Sequence, residues 1–218
     1  MGSVKAVLRR SIELLGALAG RLQVLLVARR SGAGPIWVLD LDNTLADSWP
    51  SFLEHHASER DRLRRLAPLP GMLAAAHDPA RAAGARVVVL SHRALWHWPV
   101  TRAWLRANGV HVGWTDLVLV SSPTDKIAHL RRLCVGGRPV TYWDDLTHGT
   151  ERGHHGAYDD VVAAVRRLPL EYHGESEIAA VVAAADPGRG ARVAALLAAA
   201  GRAGGPRTSA GDGAPDGR

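Results

Sequence analysis

The sequence predicts an α/β domain built on a doubly wound, mainly parallel sheet of about five strands. Three observations carry that prediction. Short continuous apolar runs recur at 36–41 (IWVLDL), 86–90 (RVVVL), 117–120 (LVLV) and 139–143 (PVTYW), a pattern suited to strands covered on both faces. Helical patterns alternate with them at 71–84, 99–108, 124–134 and 157–167. Each run gives way to hydroxyl or charged residues, and the carboxyl ends of strands are where such a sheet carries its chemistry.

The elements follow in order. Residues 4–28 read as one amphipathic helix, with Arg9, Arg10, Glu13, Arg21 and Gln23 among the apolar positions. Glu13 and Arg21 interrupt the apolar run, so a membrane span is not expected. Arg9-Arg10 before an apolar stretch has the start of a twin-arginine export signal, but Arg21 sits inside the would-be apolar region. The helix is expected to pack on the domain, to self-associate or to lie on a membrane surface. SGAGP (31–35) is a linker, which makes 1–35 one unit and 36–173 the expected catalytic domain. Residues 45–70 leave room for a short loop and a helix or two, and a last short strand is expected near Leu170–Tyr172. Residues 174–200 form an Ala-rich helical extension broken at Asp186-Pro187-Gly188, and 201–218 read as a disordered Gly/Pro-rich tail.

Composition narrows the function classes. The chain has 218 residues, 47% of them hydrophobic and 22% charged, which is the balance of a globular protein with one well-filled core. The single cysteine, Cys134, excludes an internal disulfide and suits a reducing, cytoplasmic setting. On a helix, it reads as a small core residue. The net charge is +6, but residues 1–35 hold six Lys/Arg against one acid, which leaves +1 for everything else. The basicity thus belongs to the N-terminal arm, and no stable nucleic-acid partner is expected of the core. Only Lys5 and Lys126 are lysine among 27 basic residues, so Lys126 stands out against a strong arginine bias.

The strand ends supply a particular set of groups. The first gives Asp40 and Asp42, with Asn43 and Thr44; the second gives Ser91, His92 and Arg93. After the third, Lys126 falls in the first turn of a helix that Thr124 is placed to cap. The fourth gives Asp144 and Asp145. Four carboxylates gathered at one edge repel one another and call for a cation, and all-oxygen ligands favour Mg²⁺. A nearby hydroxyl and lysine add donors for a phosphoryl group. One acid is suited to attack phosphorus and another to move the proton. Asp159-Asp160 is a contrasting pair, at a helix start with no apolar run before it, and reads as structural.

DLDNT resembles the first motif, D-x-D-x-T, of the haloacid dehalogenase (HAD) superfamily, and VVVLS resembles its second. Lys126 and WDD stand where the third and fourth motifs would be, within a likeness that covers roughly 36–167. The resemblance implies a Rossmann-like fold and a Mg²⁺-dependent phosphatase. It implies Asp40 as nucleophile and metal ligand, and Asp42 as general acid/base with its carbonyl on the metal. Thr44 and Ser91 would hold the loop and the phosphate, and Lys126 would neutralise the phosphoaspartate. Asp144 and Asp145 would complete the metal site. A phosphotransferase or mutase would share every one of these residues, and a non-catalytic module on the same fold is the third reading.

Both insertion points for a substrate-selecting cap are short, so the site is expected to be nearly uncapped. The stretch from VVVLSHRALWHWP onward is similar to the phosphatase half of phage-type polynucleotide kinase-phosphatases. That likeness implies a phosphate contact from Arg93 and base stacking by Trp96 or Trp98. His92, His97 and His148 are further candidates for the site's lining. No G-x-x-x-x-G-K-[ST] stretch is present. The substrate stays open among a polynucleotide end, a nucleotide and a sugar phosphate.

Overall fold

The computed structural model describes residues 34–148 and 156–203. The helix expected at 4–28 and all but the first three residues of the tail lie outside them. Five strands form one parallel sheet: β1 (Ile36–Leu39), β2 (Arg86–Ser91), β3 (Leu117–Leu119), β4 (Val140–Trp143) and, numbered after a short hairpin, β7 (Glu171–His173). Their order is β3-β2-β1-β4-β7. The chain therefore winds outward from β1 in one direction, returns, and winds out in the other. Between β1 and β4 the direction reverses, and such switch points open a crevice at the strands' carboxyl ends.

Alternation along each strand explains the two cores. Ile36, Val38, Val88, Leu90, Val140 and Tyr142 face one side, where they meet Leu130 and Leu133 of α4 (Asp125–Cys134) and Val161 and Val165 of α5 (Asp159–Val165). Leu39, Val89, Leu117 and Trp143 face the other. There they meet Leu63 of α1 (Glu59–Arg65), Trp104 and Leu105 of α3 (Trp98–Ala107), and Ile178 and Val182 of α6 (Glu175–Ala185). Each fully buried Leu or Ile contributes about 1.5–3 kcal/mol of transfer free energy, so the sheet is held from both sides. Cys134 is partly buried against the first of these cores, as its position on a helix predicts.

Several elements depart from the periodicity. The helix expected over 71–84 is a π-helical stretch (Leu73–His77) running into α2 (Asp78–Ala82). Pro79 stands where the π-helical stretch meets α2, and its missing N–H removes one bond from the continuous helix. Just before this stretch, Gly71 adopts φ +76°, and a Cβ there would lie 2.8 Å from the Cβ of Ala185. Glycine is what lets this turn approach α6. Residues 45–70 carry a 3₁₀ turn (Pro50–Leu53) and α1, and five residues separate β3 from α4, so both connections are as short as expected. Thr124 makes no capping bond. Ser122 does that work: its hydroxyl accepts from the Asp125 amide, while the Asp125 carboxylate accepts from the Ser122 amide.

A two-stranded hairpin, β5 (Thr147–His148) with β6 (Gly156–Ala157), follows β4 and has no period long enough to predict. The Ala-rich extension is two helices as expected, α6 and α7 (Arg189–Ala203), the second running past the predicted start of the tail. Among the described residues no helix is long and apolar enough to cross a membrane.

Candidate active site

Strand register builds the acidic centre. Leu39 of β1 pairs with Trp143 of β4, so the next residues, Asp40 and Asp144, emerge side by side from adjacent strands. The Asp40 amide donates to the Trp143 carbonyl at 2.9 Å, and the Asp144 amide to the His173 carbonyl at 3.1 Å. Both carboxylates are buried. Two buried like charges at neighbouring-strand spacing need a cation between them, and α4 supplies it. Lys126 Nζ donates to Asp40 Oδ1 at 2.9 Å and to Asp144 Oδ2 at 2.6 Å, itself only 3% exposed.

Asp145 completes a trio. One carboxylate oxygen from each of Asp40, Asp144 and Asp145 lies within 4.8 Å of the other two. Three carboxylates against one ammonium leave a formal charge of −2. Burial pushes the Asp40 carboxyl up; Lys126 offsets part of this, while Asp144 and Asp42 add to it, and the outcome is about 7. Burial, then Asp144 and Asp40, hold Asp145 well above the usual carboxylate range. Burial works against the charged Lys126, but Asp144 and Asp40 outweigh it and hold the ammonium above its ordinary value.

The second strand-end acid has a different fate. Asp42 faces Arg93 rather than the trio. Arg93 Nε and Nη2 donate to the two Asp42 oxygens at 2.6 Å each, and Nη1 donates to Thr101 on α3 at 3.2 Å. Ser48 also donates to Asp42. Burial raises this carboxyl, but the Arg93 charge and hydrogen bonds, with Ser48, more than reverse it, to about 2. The Asp42 side chain is 31% exposed, so water screens part of this attraction.

The remaining predicted residues sort clearly. Thr44 is buried and its hydroxyl accepts from the Asp145 amide at 3.3 Å, tying the first strand's loop to the fourth strand's end. Ser91 is buried, lines the cleft above the trio, and its hydroxyl has no hydrogen-bond partner among the described residues. His92 lines the same cleft. Trp98 donates its indole N–H to the Leu117 carbonyl at 3.3 Å and packs edge-on against Trp114, so it is structural. Trp96 is 65% exposed, and neither it, Trp98, His97 nor His148 lines the cleft. His148 stacks at a tilt on Tyr158, and His97 lies near Glu59 and Arg93. Asp159 and Asp160 sit in the first turn of α5, as a structural pair would.

Sequence reasoning missed several residues. Tyr142 donates its hydroxyl to Asp144, and Tyr172 donates to the Asp144 carbonyl at 2.9 Å. Strand alternation alone puts Tyr142 on the face of Asp144, so that contact had a readable signal. Asn43 adopts φ 56°, accepts from the Trp49 amide at 3.1 Å and lines the cleft. Leu146 also has a positive φ, 48°, unusual for a bulky residue. Its amide donates to Asp144 Oδ1 at 2.9 Å. Thr147 donates to Asp145.

The cleft holds about 100 Å³, enough for a phosphoryl-sized anion and not for a whole organic ester. Lying against it is a second cavity of about 400 Å³ between the first strand's loop, α6 and α7. No protein-family model matches the chain, and no curated protein matches it.

Proposed function

We propose that this chain is a Mg²⁺-dependent phosphatase that hydrolyses a phosphomonoester through an aspartyl-phosphate on Asp40. One observation carries the reading. A buried lysine bridges two in-register strand-end carboxylates, beside a third carboxylate and an unpartnered serine hydroxyl, at the mouth of a phosphoryl-sized cleft. The order of motifs and the five-stranded parallel sheet both suit a member of the HAD superfamily.

The donor set fits the metal. Three oxygen ligands on converging strand ends, with a surplus charge of −2, match a hard divalent ion. Asp40, Asp144 and Asp145 would hold Mg²⁺, which when bound supplies positive charge against the phosphoryl oxygens.

The chain's own residues account for the rest. An Asp40 oxygen attacks phosphorus, forming the P–O(Asp40) bond as the bond to the leaving oxygen breaks. Lys126 stays beside Asp40 and meets the charge that develops on the phosphoryl group. The Ser91 hydroxyl donates to a phosphoryl oxygen, gaining the partner it lacks. Asp42 delivers a proton to the leaving oxygen, then takes one from the water that cleaves the P–O(Asp40) bond. Asp42 can hold a proton only once Arg93 has turned away from it, and a phosphate oxyanion is the group that would draw Arg93 across. The phosphate contact implied for Arg93 thus comes at the expense of its bond to Asp42.

The test is phosphate release from p-nitrophenyl phosphate with Mg²⁺. We expect Asp40→Asn and EDTA each to abolish turnover. Metal-independent hydrolysis, or full activity in the Asn variant, would sink the reading. Transfer of phosphate to an added alcohol in preference to water would make the chain a phosphotransferase instead.

A further inference from the structure

The 400 Å³ cavity beside the cleft falls within the size range of small-molecule pockets. It shares Asn43, Asp145 and Thr147 with the acidic cleft. A phosphoryl group seated over Asp40 therefore has this cavity as a neighbour, and the cleft itself is too small for the alcohol the phosphate is attached to. The phosphatase reading does not say what that alcohol is. The walls of the cavity do.

They are mainly apolar. Trp49 and Leu69 close one side, and Ile178 and Val182 of α6 the other, all four buried. Ala179 and Ala183 lie one helical turn apart on α6, and their small side chains leave the space open. These six apolar side chains offer the hydroxyls of a sugar no partner; the polar groups of the lining, Asn43 and Thr147 among them, lie around them. The charges are unsuited to a polyanion. Asp145, Glu175 and Asp186 line the cavity, and among the described lining residues the one cation is Arg189. Its guanidinium is bonded to Asp47, with Nε 3.1 Å from Oδ2 and a second bond to Oδ1. Asp186 is itself paired with Arg192, so a polynucleotide end or a second phosphate would find no uncommitted cation among the described lining residues.

We propose that this cavity receives the leaving group, and that the substrate is the phosphate monoester of an uncharged, largely apolar alcohol. The proposal rests on the phosphatase reading and names its substrate class. It also turns away from polynucleotide ends and sugar phosphates.

The test uses the full chain with Mg²⁺ and compares naphthylmethyl phosphate with glucose 6-phosphate and a 5′-phosphorylated oligonucleotide. All three release alcohols of similar acidity, so selectivity reports binding. We expect kcat/KM for the naphthylmethyl ester to exceed the other two by at least about tenfold, the scale on which apolar pockets discriminate. Naphthylmethanol, which has no phosphate, is titrated in parallel by calorimetry and should bind. Ala183→Trp, which fills the cavity from an exposed helical position, should cut that preference about tenfold and weaken the alcohol's binding as much. Ala179→Phe, one turn away, should do the same if the Trp variant does not fold. Turnover without preference for the apolar ester, or alcohol binding that neither variant weakens, would overturn the pocket's role and leave the phosphatase reading standing. Alcohol binding with no hydrolysis of any ester would overturn the phosphatase reading, and the leaving-group role with it.

Discussion

Asp40 and Asp42 are two positions apart, yet their carboxyls move in opposite directions, one up to about 7 and the other down to about 2. Both lie at the edge of the sheet, and burial pushes both upward. The difference lies in how each region balances charge. Around Asp40, three carboxylates share one ammonium. Around Asp42, one carboxylate has a whole guanidinium, held bidentately, and a serine hydroxyl. The first region is left short of positive charge and the second is neutral. The three carboxylates of the first region could hold a cation, whereas Asp42 already has one of its own in Arg93.

The most direct way to break this contrast is Lys126→Met. It would leave three neighbouring carboxylates with no counter-charge, and removing one partner of a buried ion pair costs about 3–5 kcal/mol. Denaturant unfolding at pH 7 without divalent cations should show a loss of that size, and phosphate release should vanish.

Next in size is the pH response of the Asp40 region. Its folded-state value of about 7 lies above its ordinary value of 3.8, so the folded chain binds the extra proton between the two. Stability without metal should therefore fall as pH rises from about 4 to about 7, by on the order of 2–4 kcal/mol. Asp40→Asn should reduce that slope, leaving the part that Asp145 contributes, and make the variant more stable than the parent at pH 8. Mg²⁺ should restore the parent as well, by about 2.7 kcal/mol at a hundredfold excess over Kd. That is a rise of roughly 5–10 °C in Tm by thermal unfolding. A flat pH profile, or a Tm indifferent to Mg²⁺, would remove the charge deficit from the account.

Arg93→Met sharpens the other half. Asp42's folded value lies below its ordinary one, so its contribution is present above pH 3.8 and is lost as pH falls through about 2. The variant should be less stable than the parent by about 1–2 kcal/mol at neutral pH. That gap should close in acid, as measured by unfolding at a series of pH values. A gap that persists at pH 2 would mean Arg93 acts through packing alone.

Much of the first region was readable from residue order. An apolar run predicts a strand, a strand fixes which residue emerges at its end, and a parallel sheet brings those ends together. Asp40, Asp144, Asp145 and Lys126 follow from that geometry with no knowledge of side-chain contacts. The second region was not readable, because Arg93 meets Asp42 across 51 residues of sequence through a loop whose path depends on the packing of α3. The 400 Å³ cavity was hidden for another reason. The helices that wall it are Ala-rich, and a wall made of small residues has no chemical signature until a surface appears opposite it. Thr124 missed its cap because three hydroxyl residues, Ser121, Ser122 and Thr124, stand near that helix start, and only loop geometry chooses Ser122.

The place of β1 at the middle of the sheet has a consequence for hydrogen exchange. With β2 on one side and β4 on the other, β1 is protected on both edges, and the Asp40 amide is tied to Trp143 just beyond the last residue of β1. That proton should exchange only when the whole domain opens. The acid proposed as nucleophile is thus fixed to the slowest-opening unit of the protein.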